Sequence, residues 1–176
     1  NELPLIGAPN ALPTIFRTNA GAVAVAEGLV ENVSAVQAEL KRNNVWPLFF
    51  HTLNTYAPLC TKPVATMADF QGLKIRSFGA YQPALWSSLG AIGVDVLPAE
   101  IYEGLQRGRI DCGFFSNDLY LATKLYEVAK YLTTADFGPV STWPIWVNYE
   151  EWQSWPADVR ALFEEVSAEA SVRSLE

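Results

Sequence analysis

Two cysteines, one histidine and one methionine are spread over 176 residues. So few thiols and imidazoles exclude a disulfide framework and a paired-cysteine zinc site. Cys60 and Cys112 leave two readings open. One is a single bridge in an oxidising compartment; the other is a pair of buried thiols acting as small hydrophobes. The one histidine, His51, closes an apolar run, where a core or hinge role is the ordinary one. No serine stands in a G-x-S-x-G elbow, and no H-E-x-x-H pair occurs. "GLQRGRIDCG" lacks the spacing of a dinucleotide phosphate loop. Asp111 falls in a strand signal and Glu100 and Glu103 on a helix, so they do not form a general-acid pair. No catalytic residue, metal or cofactor is expected.

Positive charge is scarce too. Twelve Lys and Arg face nineteen Asp and Glu, for a net charge of -7. That excludes the basic footprint of a nucleic-acid binder. No apolar run reaches the roughly 18 residues of a membrane-spanning helix. "NELPLIGAPN" lacks the charged start and apolar run of a signal peptide, so any leader has been removed. The chain turns apolar from its third residue and is expected to be incomplete.

Half of the residues are hydrophobic, enough to bury a core in one compact domain or two small lobes. Apolar spacing predicts one long helix, or two in sequence, over 18–43, closed by Lys41 and Arg42. "VWPLFF" reads as a buried strand with Pro47 at an edge or bend. Strands are expected at 73–77, in "GVDVLP", in "RIDCGFF" and in "KYLTTA". Helices are expected at 81–89, 98–108 and 118–128. An extended run covers 137–148, a helical turn 149–155, and a final helix follows Pro156. That helix groups Val159, Leu162, Phe163 and Val166 on one face. Alternating strands and helices between about 45 and 135 signal an α/β fold with a largely parallel sheet.

In open α/β sheets, ligands bind beyond the carboxyl ends of the strands. "GLKIRSFG" ends a strand by projecting Arg76, and "RIDCGFF" ends one on Phe114 and Phe115. A guanidinium there can grip a carboxylate through two charge-assisted hydrogen bonds, and aromatic rings can wall the pocket. By spacing alone, a surface arginine paired with an acidic neighbour, beside core phenylalanines, fits slightly better.

Four stretches in register change that balance. "KPVATMADFQGLKIRSFG", "AEIYEGLQRGRIDCG", "YEVAKYLT" and "WQSWPADVRALFEE" together resemble the solute-binding proteins of tripartite ATP-independent periplasmic (TRAP) transporters. The match runs over about 45–172, and more loosely over "ELPLIGAPN". The resemblance implies a two-lobed periplasmic-binding-protein fold of type II kind, here partial. It implies residues 1–55 as a remnant of the N-terminal lobe and 56–138 as the C-terminal lobe. Residues 139–176 become the hinge return strand and a helix packing back on the first lobe. It also implies a periplasmic protein that takes up an organic acid and delivers it to the membrane permease subunits of a TRAP transporter. A sensor domain of the same fold, or an enzyme on a two-lobed fold, are the alternatives.

The family's marker arginine aligns with Arg76 and implies the carboxylate anchor. Phe114 and Phe115 stand where many members carry glutamate and asparagine, and Tyr56 stands where some carry a second arginine. The pocket is therefore expected to be apolar, and the ligand an aromatic or otherwise apolar monocarboxylate. Asn117, Tyr81, Pro98, Trp143 and Trp146 complete the expected ligand-binding set. In that fold Cys60 and Cys112 lie on strands of one lobe, which favours the bridge.

Overall fold

The computed structural model describes residues 3–11, 15–79, 81–139 and 142–175. In chain order its elements are α1 (Asn19–Asn32), α2 (Ser34–Arg42), β1 (Val45–Thr52), β2 (Tyr56–Cys60), β3 (Lys74–Ser77), α3 (Gln82–Ser88) and β4 (Ile92–Asp95). Then come α4 (Ile101–Gln106), β5 (Cys112–Ser116), α5 (Asn117–Ala122), β6 (Tyr131–Leu132), β7 (Thr142–Asn148), α6 (Tyr149–Ser154) and α7 (Ala157–Arg173). Short 3-10 turns precede α4 and follow α5. The chain forms two compact units. One joins Ile15–Leu53 to Ser141–Glu176, and the other is built on Asn54–Val140.

In the first unit, Thr18 caps α1 by accepting a hydrogen bond from the Gly21 N–H at 3.1 Å. The helical run expected over 18–43 is two helices, broken where Val33 is extended (φ −112°, ψ 101°). The Gln37 side chain takes over the freed end of α1, donating to the Val30 carbonyl at 2.8 Å. Val23, Ala26, Val30, Val36 and Leu40 meet Phe50 of β1 in the core.

Glu39 lies inside this unit, only 1% exposed. Its carboxylate accepts the backbone N–H groups of Leu5 and Ile6 at 3.0 Å and so pins the first described segment to α2. Glu39→Ala leaves those donors without a partner and is expected to cost about 2 kcal/mol. A drop in the urea midpoint checks this; an unchanged midpoint would show that the clasp contributes nothing.

β1 and β7 pair antiparallel, with a register irregularity between Pro47 and Phe49. Proline has no N–H for the ladder, so the bend expected at Pro47 falls at this bulge. On α7 the expectation is corrected. Leu162 and Val166 are more than half exposed, and the buried residues are Ser167 and Ser171. Small serines let the helix approach closely, and Ser171 Oγ donates to Glu27 of α1 at 3.2 Å. Phe163 instead stacks beside Trp155, ring centres 5.0 Å apart.

The second unit carries a five-stranded sheet in the order β4-β3-β5-β2-β6. β4, β3 and β5 are parallel, linked by helical crossovers, whereas β2 runs antiparallel to both of its neighbours, β5 and β6, so that β6 shares the direction of the other three. The sheet is thus mixed: β2 enters from the opposite end, and no crossover helix turns it round. Gly90 (φ 79°) and Gly108 (φ 69°) end α3 and the α4 segment in the left-handed region that glycine adopts freely. The helix expected over 118–128 stops at Ala122, where Lys124 turns left-handed (φ 55°). "KYLTTA" contributes only the two residues of β6. The extended run over 137–148 contains β7; its Val140 and Ser141 lie outside the described residues.

Trp86, Phe114 and Phe137 form a buried aromatic cluster on one face of this sheet, with Trp86 and Phe114 ring centres 4.9 Å apart. Cys60 and Cys112 face each other directly across β2 and β5 and are joined as a disulfide.

Candidate ligand site at the carboxyl edge of the mixed sheet

Because β3, β4 and β5 are parallel, their last residues share one edge. β2 is antiparallel and begins there, with Tyr56 opposite Ser116. The topology therefore gathers Arg76, Val96, Phe114–Asn117 and Tyr56 from distant stretches of sequence. Tyr81 and Pro98 follow β3 and β4 at the same edge, and both are exposed.

Arg76 is the centre of this group and is only 4% exposed. Its Nε donates to the Val96 carbonyl at 3.0 Å and its Nη1 to the Phe114 carbonyl at 2.7 Å. Its Cζ lies 4.7 Å from the ring centre of Phe78 and 4.9 Å from that of Phe115. Burial pushes the guanidinium below its ordinary value, and Tyr56, Tyr120 and Asp95 act in the opposite direction. The surface ion pair that spacing alone favoured does not form. Among the described residues no carboxylate lies within ion-pair distance of Arg76. The protein holds a desolvated cation with two carbonyl acceptors and, among the described residues, no ion-paired carboxylate.

The aromatic side chains divide by strand alternation. Phe114 is fully buried among Tyr56, Trp86 and Phe137, and offers Arg76 its carbonyl. Phe115 points to the other face and meets the guanidinium. Asn117 donates its backbone N–H to Thr55, and its side-chain oxygen is buried without a hydrogen-bond partner. Trp143 and Trp146 stand on β7 in the first unit, partly exposed. A hollow of about 290 Å³ in that unit, among α1, β1 and α7, contains none of the expected site residues. Among the described residues no group of His, Cys, Asp or Glu is placed to hold a metal.

Two residues of this edge escaped the sequence reading. Phe78 shares the parity of Arg76 just beyond β3, a signal visible in "IRSFG". Tyr120 is buried on α5. Its hydroxyl accepts the Phe115 N–H at 2.9 Å and lies between the carbonyls of Ala57 and Gly113. Burial pushes its phenol well above the ordinary value. Nothing in local sequence marks it, because its partners lie on two strands.

A binding protein of two-lobed α/β type is the class this fold and edge define, and comparison with known proteins gives the family. The chain belongs to the bacterial extracellular solute-binding proteins, family 7 (DctP), the solute-binding proteins of TRAP transporters. The family model matches residues 4–176. A C4-dicarboxylate-binding periplasmic protein, DctP, of Rhodobacter capsulatus is 27% identical over 161 residues, covering 91% of this chain and 47% of that relative. A TRAP periplasmic solute-binding protein of Sulfitobacter sp. NAS-14.1, solved with bound α-D-taluronate, is 26% identical. Its TM-score is 0.80, with 98% of this chain and 54% of that one covered. Another from Desulfovibrio salexigens, with bound orotic acid, shares the fold at 20% identity and a TM-score of 0.82, covering 98% and 55%. The chain spans 35% and 47% of the length of two curated relatives it matches. This is a family of binding proteins for transport.

Proposed function

We infer that the protein captures an organic monocarboxylate in the periplasm and passes it to the membrane subunits of a TRAP transporter. One observation carries the reading: Arg76 is buried and cationic and has no carboxylate partner among the described residues. A buried charge left uncompensated is costly, and an anionic ligand supplies the missing charge. Arg76 is the anchor in this reading. Phe115 and Tyr56 form the apolar wall, and Asn117 offers a buried, unpartnered acceptor to a donor group on the ligand. Phe114 shapes the wall from behind. Residues 56–138 are assigned to one lobe, and 1–55 with 139–176 to the other.

The finer reading is an aromatic or apolar acid. Rings crowd the cation where a sugar acid would want hydrogen-bonding groups. The orotic acid bound by the neighbour from Desulfovibrio salexigens supports this reading.

A thermal-shift screen of organic acids on the full chain its gene encodes tests both levels. At a hundredfold excess over its dissociation constant, a ligand binding only the native state adds about 2.7 kcal/mol. Aromatic and aliphatic carboxylates are expected to raise the melting temperature, and their amides are not. Tight binding of sugar acids with no response to aromatic ones would sink the finer reading. Silence towards every acid would sink both.

A further inference from the structure

Resting on the carboxylate reading above, we propose that Tyr120 is a positioning residue for the ligand anchor: its phenol and Arg76 clamp opposite ends of one peptide group, the one joining Phe114 to Phe115. Arg76 Nη1 donates to the Phe114 carbonyl at 2.7 Å. The N–H of the same peptide, that of Phe115, donates to the Tyr120 hydroxyl at 2.9 Å. The peptide is trans, so it is a rigid plane whose carbonyl and N–H point in opposite directions. Arg76 holds it from the β3 side of β5, and Tyr120 from the β2 side. The hydroxyl is itself fixed between the Ala57 carbonyl of β2 and the Gly113 carbonyl of β5.

Local sequence explains how the phenol gets there. β5 ends at Ser116 and α5 starts at Asn117, so about one helical turn brings Tyr120 back over the strand it follows. The residue is buried, and burial keeps its phenol neutral. Tyr120 thus offers Arg76 no counter-charge and leaves that place to an anion. The hydrogen bonds run in one direction, from guanidinium to carbonyl, from N–H to phenol, and from phenol to carbonyl. Each link polarises the next. Without the hydroxyl, the Phe115 N–H loses this acceptor and the peptide plane is free to turn. Turning draws the Phe114 carbonyl off Nη1. The guanidinium is then held through Nε alone, by the Val96 carbonyl.

Tyr120→Phe, in the full chain the gene encodes, tests this by NMR without ligand and then by calorimetry. Isotope labels on the carbonyl carbon and amide nitrogen of phenylalanine single out Phe–Phe peptides, which in this sequence are Phe49–Phe50 and Phe114–Phe115. The first lies on β1 and is an internal control. The variant is expected to shift the Phe114–Phe115 signal and leave the control in place. It is also expected to speed hydrogen exchange at the Arg76 Nη protons by about tenfold. Benzoate and butyrate should bind about tenfold more weakly. A ring-fluorinated tyrosine in the same position keeps the hydroxyl but makes it a poorer acceptor. It should give smaller changes in the same direction, and it decides the matter where Tyr120→Phe does not fold. A merely structural role would lower the melting temperature and leave the Arg76 exchange as in the wild type, which would overturn the proposal and leave the carboxylate reading standing. Shifts at both peptides, or a loosened guanidinium with undiminished binding, would overturn it too. A wild type that binds no acid would overturn the carboxylate reading, with the clamp still judged by the ligand-free exchange.

Discussion

Arg76→Ala is expected to remove organic-acid binding almost entirely, weakening it by about two to four orders of magnitude. Losing one partner of a buried, hydrogen-bonded charge pair costs about 2–5 kcal/mol or more. Arg76→Lys should not rescue it. A lysine ammonium is a compact point charge without the planar fork, and it cannot hold two carbonyls and a carboxylate together. The same site makes an opposite prediction for the empty protein. Arg76→Met removes a desolvated charge, which stabilises, and frees the carbonyls of Val96 and Phe114, which destabilises. These terms oppose, so the ligand-free melting temperature should hardly move while affinity collapses. Calorimetry and urea denaturation on the same variants separate the outcomes. A large stability loss with little change in affinity would make Arg76 a structural clip between strands rather than a ligand anchor.

Much of this edge was legible in one dimension and little of it in three. Alternation in "GLKIRSFG" placed Arg76 at a strand end, and that strand is β3. Strand periodicity says which residues share a face but not which strand lies beside which. The mixed sheet, and the meeting of Tyr56 with Ser116, depend on β2 entering from the far side. The acidic neighbour that spacing alone slightly favoured for Arg76 was a reasonable default for a charged residue. Burial overturned it, because the guanidinium turns inward to carbonyls at both flanking strands. On α7 the apolar positions were correctly grouped, yet close helix packing chose the serine face and left Leu162 and Val166 outward. Glu39 was invisible for a related reason: a charged residue in a helix reads as solvated until the backbone donors it clasps are known.

Loss of the Cys60–Cys112 bridge is expected to cost the second unit about 4 kcal/mol. The two cysteines are 52 residues apart in sequence. In the chain-entropy account, a closed loop of this size restricts the unfolded chain by about that amount. Typical domains are stable by only about 5–15 kcal/mol, so the double variant Cys60→Ala with Cys112→Ala should melt far below the wild type. Both cysteines are fully buried, so reductant should act slowly on the folded protein and quickly once urea opens it. The ligand edge should survive wherever the variant stays folded. β2 and β5 remain paired by their ladder from Tyr56 opposite Ser116 down to the cysteines, and the bridge sits at the end of that ladder away from Tyr56. Affinity below the melting transition should therefore match the wild type within a few-fold. A midpoint shift worth under about 1 kcal/mol would mean that the unfolded chain is already restricted near this loop. A folded variant with lost affinity would mean that the bridge, and not the ladder, sets the register that brings Tyr56 to Phe115.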